Sequence, residues 1–366
     1  MIPEVIEGVW YGDGIAARLA RAALAPVEWT YGSAVAIRNA MYDHALIPSH
    51  ASPIPVLSLG NLSVGGTGKT PVAAWAAAAL AARGARPAIV LRGYGDDEPL
   101  VHATLNPGII VVADANRVRG VEHAHRSGAD CAILDDGFQH RRIRRAADWV
   151  LVSAEQWRAG LRALPAGPLR ESSRALRRAD LIIVTRKDAT STRADEILAQ
   201  LAPSLRDGAQ VAACHLEPDG LVRVAAGTRV PLEWVRNRRL LAVAAVGSPA
   251  SFFAQLVSAG AQLDCHAYRD HHAFDARDVA RLVRASAARD GVVCTLKDAV
   301  KLGPLWPPSA PALWYVSQHV VFERGGTALD ASLSAIFAAR VAAPSTAGTA
   351  GPSSLAHGHR PSTADR

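Results

Sequence analysis

Short aliphatic runs alternate with helical stretches from Pro55 to about Thr185. The runs are Val56–Leu59, Ala88–Leu91, Ile109–Val112, Cys131–Leu134, Trp149–Val152 and Leu181–Thr185. This alternation predicts an α/β fold, a mostly parallel sheet with helices on both faces. The pattern weakens over 186–238, where Ser191–Ala202 reads as a helix and Gln210–His215 as a strand. A second alternating region follows. It predicts strands at Leu240–Val246, Val292–Thr295 and Leu313–Val316, and helices at Pro249–Gly260, Ala276–Arg289 and Asp330–Arg340. Residues 1–50 read as helical. Ile15, Leu19, Ala22 and Ala23 recur at helical spacing, Arg18 and Arg21 lie off that stripe, and Trp10, Tyr11, Trp29 and Tyr31 flank it. Such a segment either packs on the core or lies in a membrane interface. From Ala342 the chain is rich in Ala, Pro, Ser, Thr and Gly without periodicity, which predicts a disordered tail. The expected division is a helical segment over 1–50, a core over 51–205, a smaller α/β domain over 206–341 and a tail over 342–366.

Length and charge narrow the picture. At 366 residues the chain exceeds one ordinary core. A net charge of +7 suits anionic partners without choosing among nucleotides, nucleic acid and an acidic membrane. No aromatic-interleaved basic patch or zinc-finger spacing supports nucleic acid. Cys131, Cys214, Cys265 and Cys294 are scattered and form no C-x-x-C pair, as expected of structural thiols in a reducing compartment. The N-terminus is acidic where a signal peptide is basic. The longest apolar run, Pro71 to Ala82, is short of the roughly 20 residues that span a bilayer.

The richest chemistry lies in Ser63-Val64-Gly65-Gly66-Thr67-Gly68-Lys69-Thr70, between a strand and a helix. That context predicts a phosphate-binding loop, in which backbone N–H groups and a helix N-terminus cradle phosphate oxygens. Lys69 would reach the β/γ-phosphates and the Thr70 hydroxyl would sit on Mg²⁺. The chain has only four lysines: Lys69, Lys187, Lys297 and Lys301. Asp135 and Asp136 close another strand, and one of the two is expected to serve Mg²⁺ or its waters. Arg92-Gly93-Tyr94-Gly95-Asp96-Asp97-Glu98-Pro99 offers a carboxylate able to accept the proton of an attacking hydroxyl. In Leu164–Glu171, Arg170 can meet phosphate with its planar fork and Glu171 is a candidate metal ligand. Asp270-His271-His272 places a His beside an Asp. Thr295–Lys301 is either structural or anion-contacting.

Taken together, Gly60–Pro71, Arg92–Gly95, Asp97–Pro99, Asp135–His140, Leu164–Glu171, Gly247–Pro249, Asp270–His272 and Thr295–Leu302 resemble the tetraacyldisaccharide 4′-kinase family of lipid A biosynthesis. A Ser at the first loop position is usual there. The resemblance implies ATP- and Mg²⁺-dependent phosphorylation of the 4′-hydroxyl of a lipid-linked glucosamine disaccharide 1-phosphate. It implies a peripheral enzyme on the cytoplasmic face of the bacterial inner membrane, touching lipid through its N-terminal helices. No nucleic acid is expected as a partner, and no obligate protein partner is implied. The family's catalytic carboxylate maps to Asp97 and its partner His to His271. Phosphate and metal contacts map to Lys69, Thr70, Asp135 or Asp136, and Glu171. Family members usually carry a longer segment before this carboxylate; here only Asp96 separates Gly95 from Asp97. The rival expectations are a membrane-associated P-loop ATPase switch without a small-molecule acceptor, and a nucleic-acid-binding ATPase.

Overall fold

The computed structural model describes residues 4–93, 97–247 and 249–342. The stretch from 343 onward, expected to be a disordered tail, lies outside the described residues, as do Asp96 and Ser248. Helices α1 (Glu4–Tyr11) and α2 (Ile15–Asp43) precede the sheet. The first half then runs β1 (Val56–Asn61), α3 (Lys69–Ala82), β2 (Pro87–Leu91), α4 (Asp97–Leu105), β3 (Ile110–Ala113), α5 (Arg117–Arg126), β4 (Cys131–Asp135), β5 (Ala147–Ser153), β6 (Leu181–Arg186) and α6 (Ser191–Leu201). The second half runs β7 (Gln210–Arg223), β8 (Arg229–Val230), β9 (Arg239–Ala244), α7 (Pro249–Ser258), β10 (Gln262–Ala267), α8 (Ala276–Ser286), β11 (Gly291–Cys294), α9 (Leu296–Leu302), β12 (Leu313–Arg324) and α10 (Gly326–Ala342).

All the strands belong to one sheet, in the order β10-β9-β11-β12-β7-β6-β5-β1-β4-β2-β3, with β8 on β7. Every pairing is parallel except those of β7 with β12 and β8. β7 runs parallel to β6 over Gln210–His215 and antiparallel to β12 along its length, so this ribbon joins the two halves. The hydrophobic pattern predicts only the first part of each ribbon strand. Beyond it, Pro218, Asp219 and Gly220 read as a turn. They are accommodated by an irregularity opposite Ser317/Gln318, the kind of place where Pro is tolerated in a strand.

Side chains alternate across the sheet with period two. Leu57 and Leu59 of β1 face one way, into a core shared with Ile133, Trp149 and α3. Val56 faces the other way, against Val121 and Ala124 of α5. Leu329, Leu333 and Ile336 of α10 join the first of these cores. Trp149 Nε1 donates to Ser332 Oγ at 2.9 Å, and Arg340 pairs with Asp130 at 2.5 Å. The last described helix thus packs under the first half of the sheet. In the second half, Leu240, Ala242 and Val293 pack on α7, while Leu241, Val243 and Val292 pack on α8 and α9.

Besides the two-residue β8, four elements are absent from the hydrophobic pattern for local reasons. α4 starts with Asp97 and Glu98 in its first turn, where carboxylates suit the helix dipole, and Pro99 follows where a missing N–H costs little. α5 is too polar to show an apolar stripe, and the Asn116 side chain caps it by accepting from Val118 N and Arg119 N. α9 is only two turns long. β10 is an edge strand with no fully buried residue.

Leu333 is fully buried under the first half. Leu333→Ala is expected to lower unfolding free energy by about 3 kcal/mol, seen as a lower urea midpoint at unchanged slope. Leu305→Ala, at a largely exposed leucine, is expected to stay within about 0.5 kcal/mol.

Candidate active site

The phosphate loop leaves β1 at its carboxyl end, where ligands gather in open parallel sheets. Gly65 and Gly68 adopt φ of 125° and 77°, and a Cβ at Gly68 would stand 2.4 Å from Leu216 Cδ1. Buried Asn61 splints the loop: its Nδ2 donates to Ser63 O at 2.7 Å, and its Oδ1 accepts from Lys69 Nζ at 3.2 Å. The Thr185 hydroxyl donates to Thr67 O at 3.0 Å. The Pro/Gly loop runs alongside, with Val64 N donating to Pro168 O at 2.8 Å and Arg170 N to Leu62 O at 2.7 Å. Ser63 through Thr70 are therefore held from both sides. Above them opens a cleft of about 1140 Å³ whose lining reaches Asp135, Asp136, Glu98, His271 and Lys297.

Asp136 sits in the left-handed region at φ 57°. Arg170 Nη1 donates to both its oxygens, at 3.0 and 2.8 Å, and Lys69 Nζ is 3.6 Å away. Burial works to raise this carboxyl, but Lys69 and Arg170 together outweigh it and hold it below the usual carboxylate range. Asp135 Oδ2 pairs with Nε2 of fully buried His102 at 2.9 Å, while buried Oδ1 has no protein partner. Glu171 lines the same cleft. Arg178 pairs with it at 3.0 Å and Asn39 Nδ2 donates to Oε2 at 2.7 Å, so its oxygens are satisfied within the protein. The Asn39 bond also ties it to α2.

Asp97 and His271 are brought together from opposite halves. His271 Nδ1 lies 3.4 Å from Asp97 Oδ2. Asp97 is 5 % exposed, and its Oδ1 is buried without a partner. The His271 side chain is 47 % exposed and lines the cleft, on a backbone with φ 56°. Neighbouring Glu98 also lines the cleft, and burial raises its carboxyl above the usual range against the pull of Lys297.

Three functional-looking residues escape sequence reasoning. Asn61 and His102 are polar residues in apolar surroundings, visible only once their partners are known. Arg117, nearly buried, donates from Nη2 to Asp135 O at 3.4 Å and lines the cleft. Its position just after β3, at the carboxyl edge of the sheet, is the one signal that could have singled it out.

The N-terminal helices join the cleft through polar bonds. Tyr31 OH donates to Arg170 O at 2.9 Å, Arg38 Nη2 to Gln139 O at 2.6 Å and Trp10 Nε1 to Pro165 O at 2.9 Å. No residue of α2 is buried, and Ile15, Leu19 and Trp29 are 77, 66 and 74 % exposed. The apolar stripe faces outward, away from the core. Among the described residues no helix is long and apolar enough to cross a membrane.

Fold and site together put the chain in the class of P-loop enzymes that act on nucleoside triphosphates. Comparison with known proteins narrows this. The chain belongs to the tetraacyldisaccharide-1-P 4′-kinase family, whose profile matches residues 20–338. The tetraacyldisaccharide 4′-kinase of Anaeromyxobacter dehalogenans is 36% identical over 357 residues, covering 90% of this chain and 94% of that protein. That of Geobacter sulfurreducens is 37% identical over 316 residues, covering 79% and 86%. A solved structure, the "apo" form of LpxK from Aquifex aeolicus in complex with ATP, matches at TM-score 0.68 and 26% identity, over 87% of this chain and 99% of that one. The family resemblance read from the motifs is borne out, and the chain is a phosphotransferase.

His140, at the end of the Asp135–His140 motif, is set by its surroundings. Burial, with Arg117, Arg145, Arg142 and Arg38 nearby, pushes its imidazole down to about 4. The unfolded chain takes up this proton more readily than the folded one, so stability falls as pH drops from about 6.5 to about 4. The loss of urea midpoint between pH 7 and pH 5 is expected to be smaller in His140→Gln than in the parent.

Proposed function

We propose that the chain transfers the γ-phosphoryl group of ATP to the 4′-hydroxyl of a tetraacyldisaccharide 1-phosphate, giving the bis-phosphorylated lipid A precursor. The observation that carries this reading is the Asp97–His271 pair, a buried carboxylate against a cleft-lining imidazole in the cleft of the phosphate loop. A nucleotide switch has no use for a proton-accepting pair there. A kinase needs one to take the proton from the acceptor hydroxyl.

Backbone amides of Ser63, Val64, Gly65, Gly66, Thr67 and Gly68 cradle the phosphates, and Lys69, aimed by Asn61, meets the β/γ oxygens. Arg170 stands beside it, tied to Asp136. The residues present fit Mg²⁺: Asp135 offers a buried oxygen with no protein partner, and Asp136 and Thr70, which line the same cleft, add further hard oxygen donors. Thr70, Asp135 and Asp136 would hold the ion, which supplies positive charge against the phosphate oxygens when bound. Asp97 accepts the acceptor's proton, and His271 orients it. Because Asp97 is the more buried of the two, a second arrangement is favoured by the same geometry: the imidazole touches the hydroxyl and Asp97 holds the imidazole.

The outward stripe of α2 supports a peripheral stance on the cytoplasmic face of the inner membrane. Apolar side chains there enter the head-group region while Arg38 and Tyr31 line the cleft on the other side of the helix. The lipid-linked acceptor would approach the cleft along this helix.

The test is ATP-dependent transfer to a tetraacyldisaccharide 1-phosphate. Lys69→Ala is expected to lower kcat/KM by at least about 100-fold, and Asp97→Asn by about 100- to 10,000-fold. Parent-like transfer by Lys69→Ala, or ATP hydrolysis indifferent to the acceptor, would sink the reading. Ile15→Ser/Leu19→Ser/Trp29→Ser is expected to weaken co-sedimentation with anionic phospholipid vesicles at least tenfold, a loss of about 1.4 kcal/mol or more.

A further inference from the structure

Lys301 belongs to a network that the reaction scheme above does not use. It lies on α9, with its side chain 16% exposed. Its Nζ is 3.9 Å from Asp97 Oδ2 and 3.5 Å from Asp298 Oδ1, and it donates to His272 O at 3.1 Å. Asp298, fully buried, sits one helical turn earlier. Its Oδ2 accepts from Ala245 N at 3.0 Å and from Thr295 Oγ1 at 2.7 Å. Ala245 O in turn accepts from His271 N at 3.3 Å. The His271 turn is therefore gripped on both flanks. Its own N–H is bound to Ala245, which Asp298 fixes, and the next carbonyl is bound to Lys301.

A grip is needed there. His271 holds a backbone conformation that a side chain disfavours, φ 56°, and its imidazole is half-exposed. The same ammonium faces Asp97 Oδ2, the oxygen that His271 Nδ1 faces. Asp97 belongs to α4 in the first half, whereas Lys301, Asp298 and His271 belong to the second. One lysine thus touches the catalytic carboxylate on one side and the turn that presents the catalytic imidazole on the other.

We propose that Lys301 is a positioning residue for phosphoryl transfer: braced by Asp298, it holds the His271 turn and Asp97 in register across the junction of the two halves. This rests on the reading of Asp97 and His271 as the proton-accepting pair. Arg170 and Lys69 serve the phosphate side, and Lys301 serves the acceptor side through the groups it holds rather than by touching substrate.

The experiment measures kcat and KM for ATP and for the tetraacyldisaccharide 1-phosphate in Lys301→Met and Lys301→Arg, each alone and in the Asp97→Asn background. ATP affinity is titrated in parallel. Lys301→Met is expected to lose about 100-fold in kcat, the scale of a displaced catalytic group, with ATP affinity within about threefold of the parent. Lys301→Arg, which keeps the charge, is expected to recover about tenfold of that loss. In the Asp97→Asn background, Lys301→Met is expected to change residual kcat by less than about threefold, because the two act as a unit. A kcat for Lys301→Met near the parent's, with Asp97→Asn inactive, overturns the proposal and leaves the proton-accepting pair standing. So does a loss that persists undiminished in the Asp97→Asn background, or one matched by lost ATP binding, since Lys301 would then act on the nucleotide or on folding. Parent-like turnover in Asp97→Asn strikes the assignment of the pair itself, and the proposal falls with it.

Discussion

A carboxylate withdrawn from water must be met by positive charge or by hydrogen-bond donors, and here both partners of Asp97 come from the far half of the sheet. His271 and Lys301 approach it from the loop after β10 and from α9. The requirement links local chemistry to architecture. α4 can carry a buried acid at its first turn only because α9 packs against it. α9 reaches that place because β11 and β12 are fixed in the common sheet. The β7–β12 ribbon therefore does more than connect two units. Its register decides whether a cation stands beside the acid.

The phosphate end of the cleft follows a different logic. It is built within one half, from a loop whose shape is imposed by neighbours: Asn61 beneath it, Thr185 behind Thr67 and the Pro168–Arg170 segment alongside. Lys69, Arg170 and Asp136 form a compact charged group, and the two cations keep the acid ionised. A cradle of this kind is preorganised before ligand arrives, so little conformational entropy is lost on binding. The Asp97–His271 end depends on two halves keeping their register, and its geometry is correspondingly sensitive to changes far from the cleft.

Local chemistry was legible in the sequence to the degree that it was written in adjacent residues. The phosphate loop, the Asp135–Asp136 pair and the buried strands of the first half are contiguous patterns with one physical meaning. Spatial partnerships were not legible. His102 and Asp135 are 33 residues apart, and nothing in either segment names the other. Lys301 is in the same position with respect to Asp97. The later part of the β7–β12 ribbon was hidden because Pro218, Asp219 and Gly220 are turn formers on any local scale, and only antiparallel pairing with β12 overrides them. The amphipathic reading of α2 gave a stripe but not its direction. That direction is set by polar anchors such as Asn39 and Tyr31, which bond to Glu171 and Arg170.

The place of α10 carries a further consequence, one that concerns synthesis. Its apolar residues, Leu329 to Ile336, complete the core beneath β1, β4 and β5, strands that are synthesised well before it. While the chain is being made, that side of the nucleotide-binding half has α3 but lacks its second cover. The sheet face around Leu57 and Trp149 stays partly open until α10 emerges. Covering of this face thus waits for a helix made long after the strands it covers, and the exposed apolar surface is open to wrong association until then.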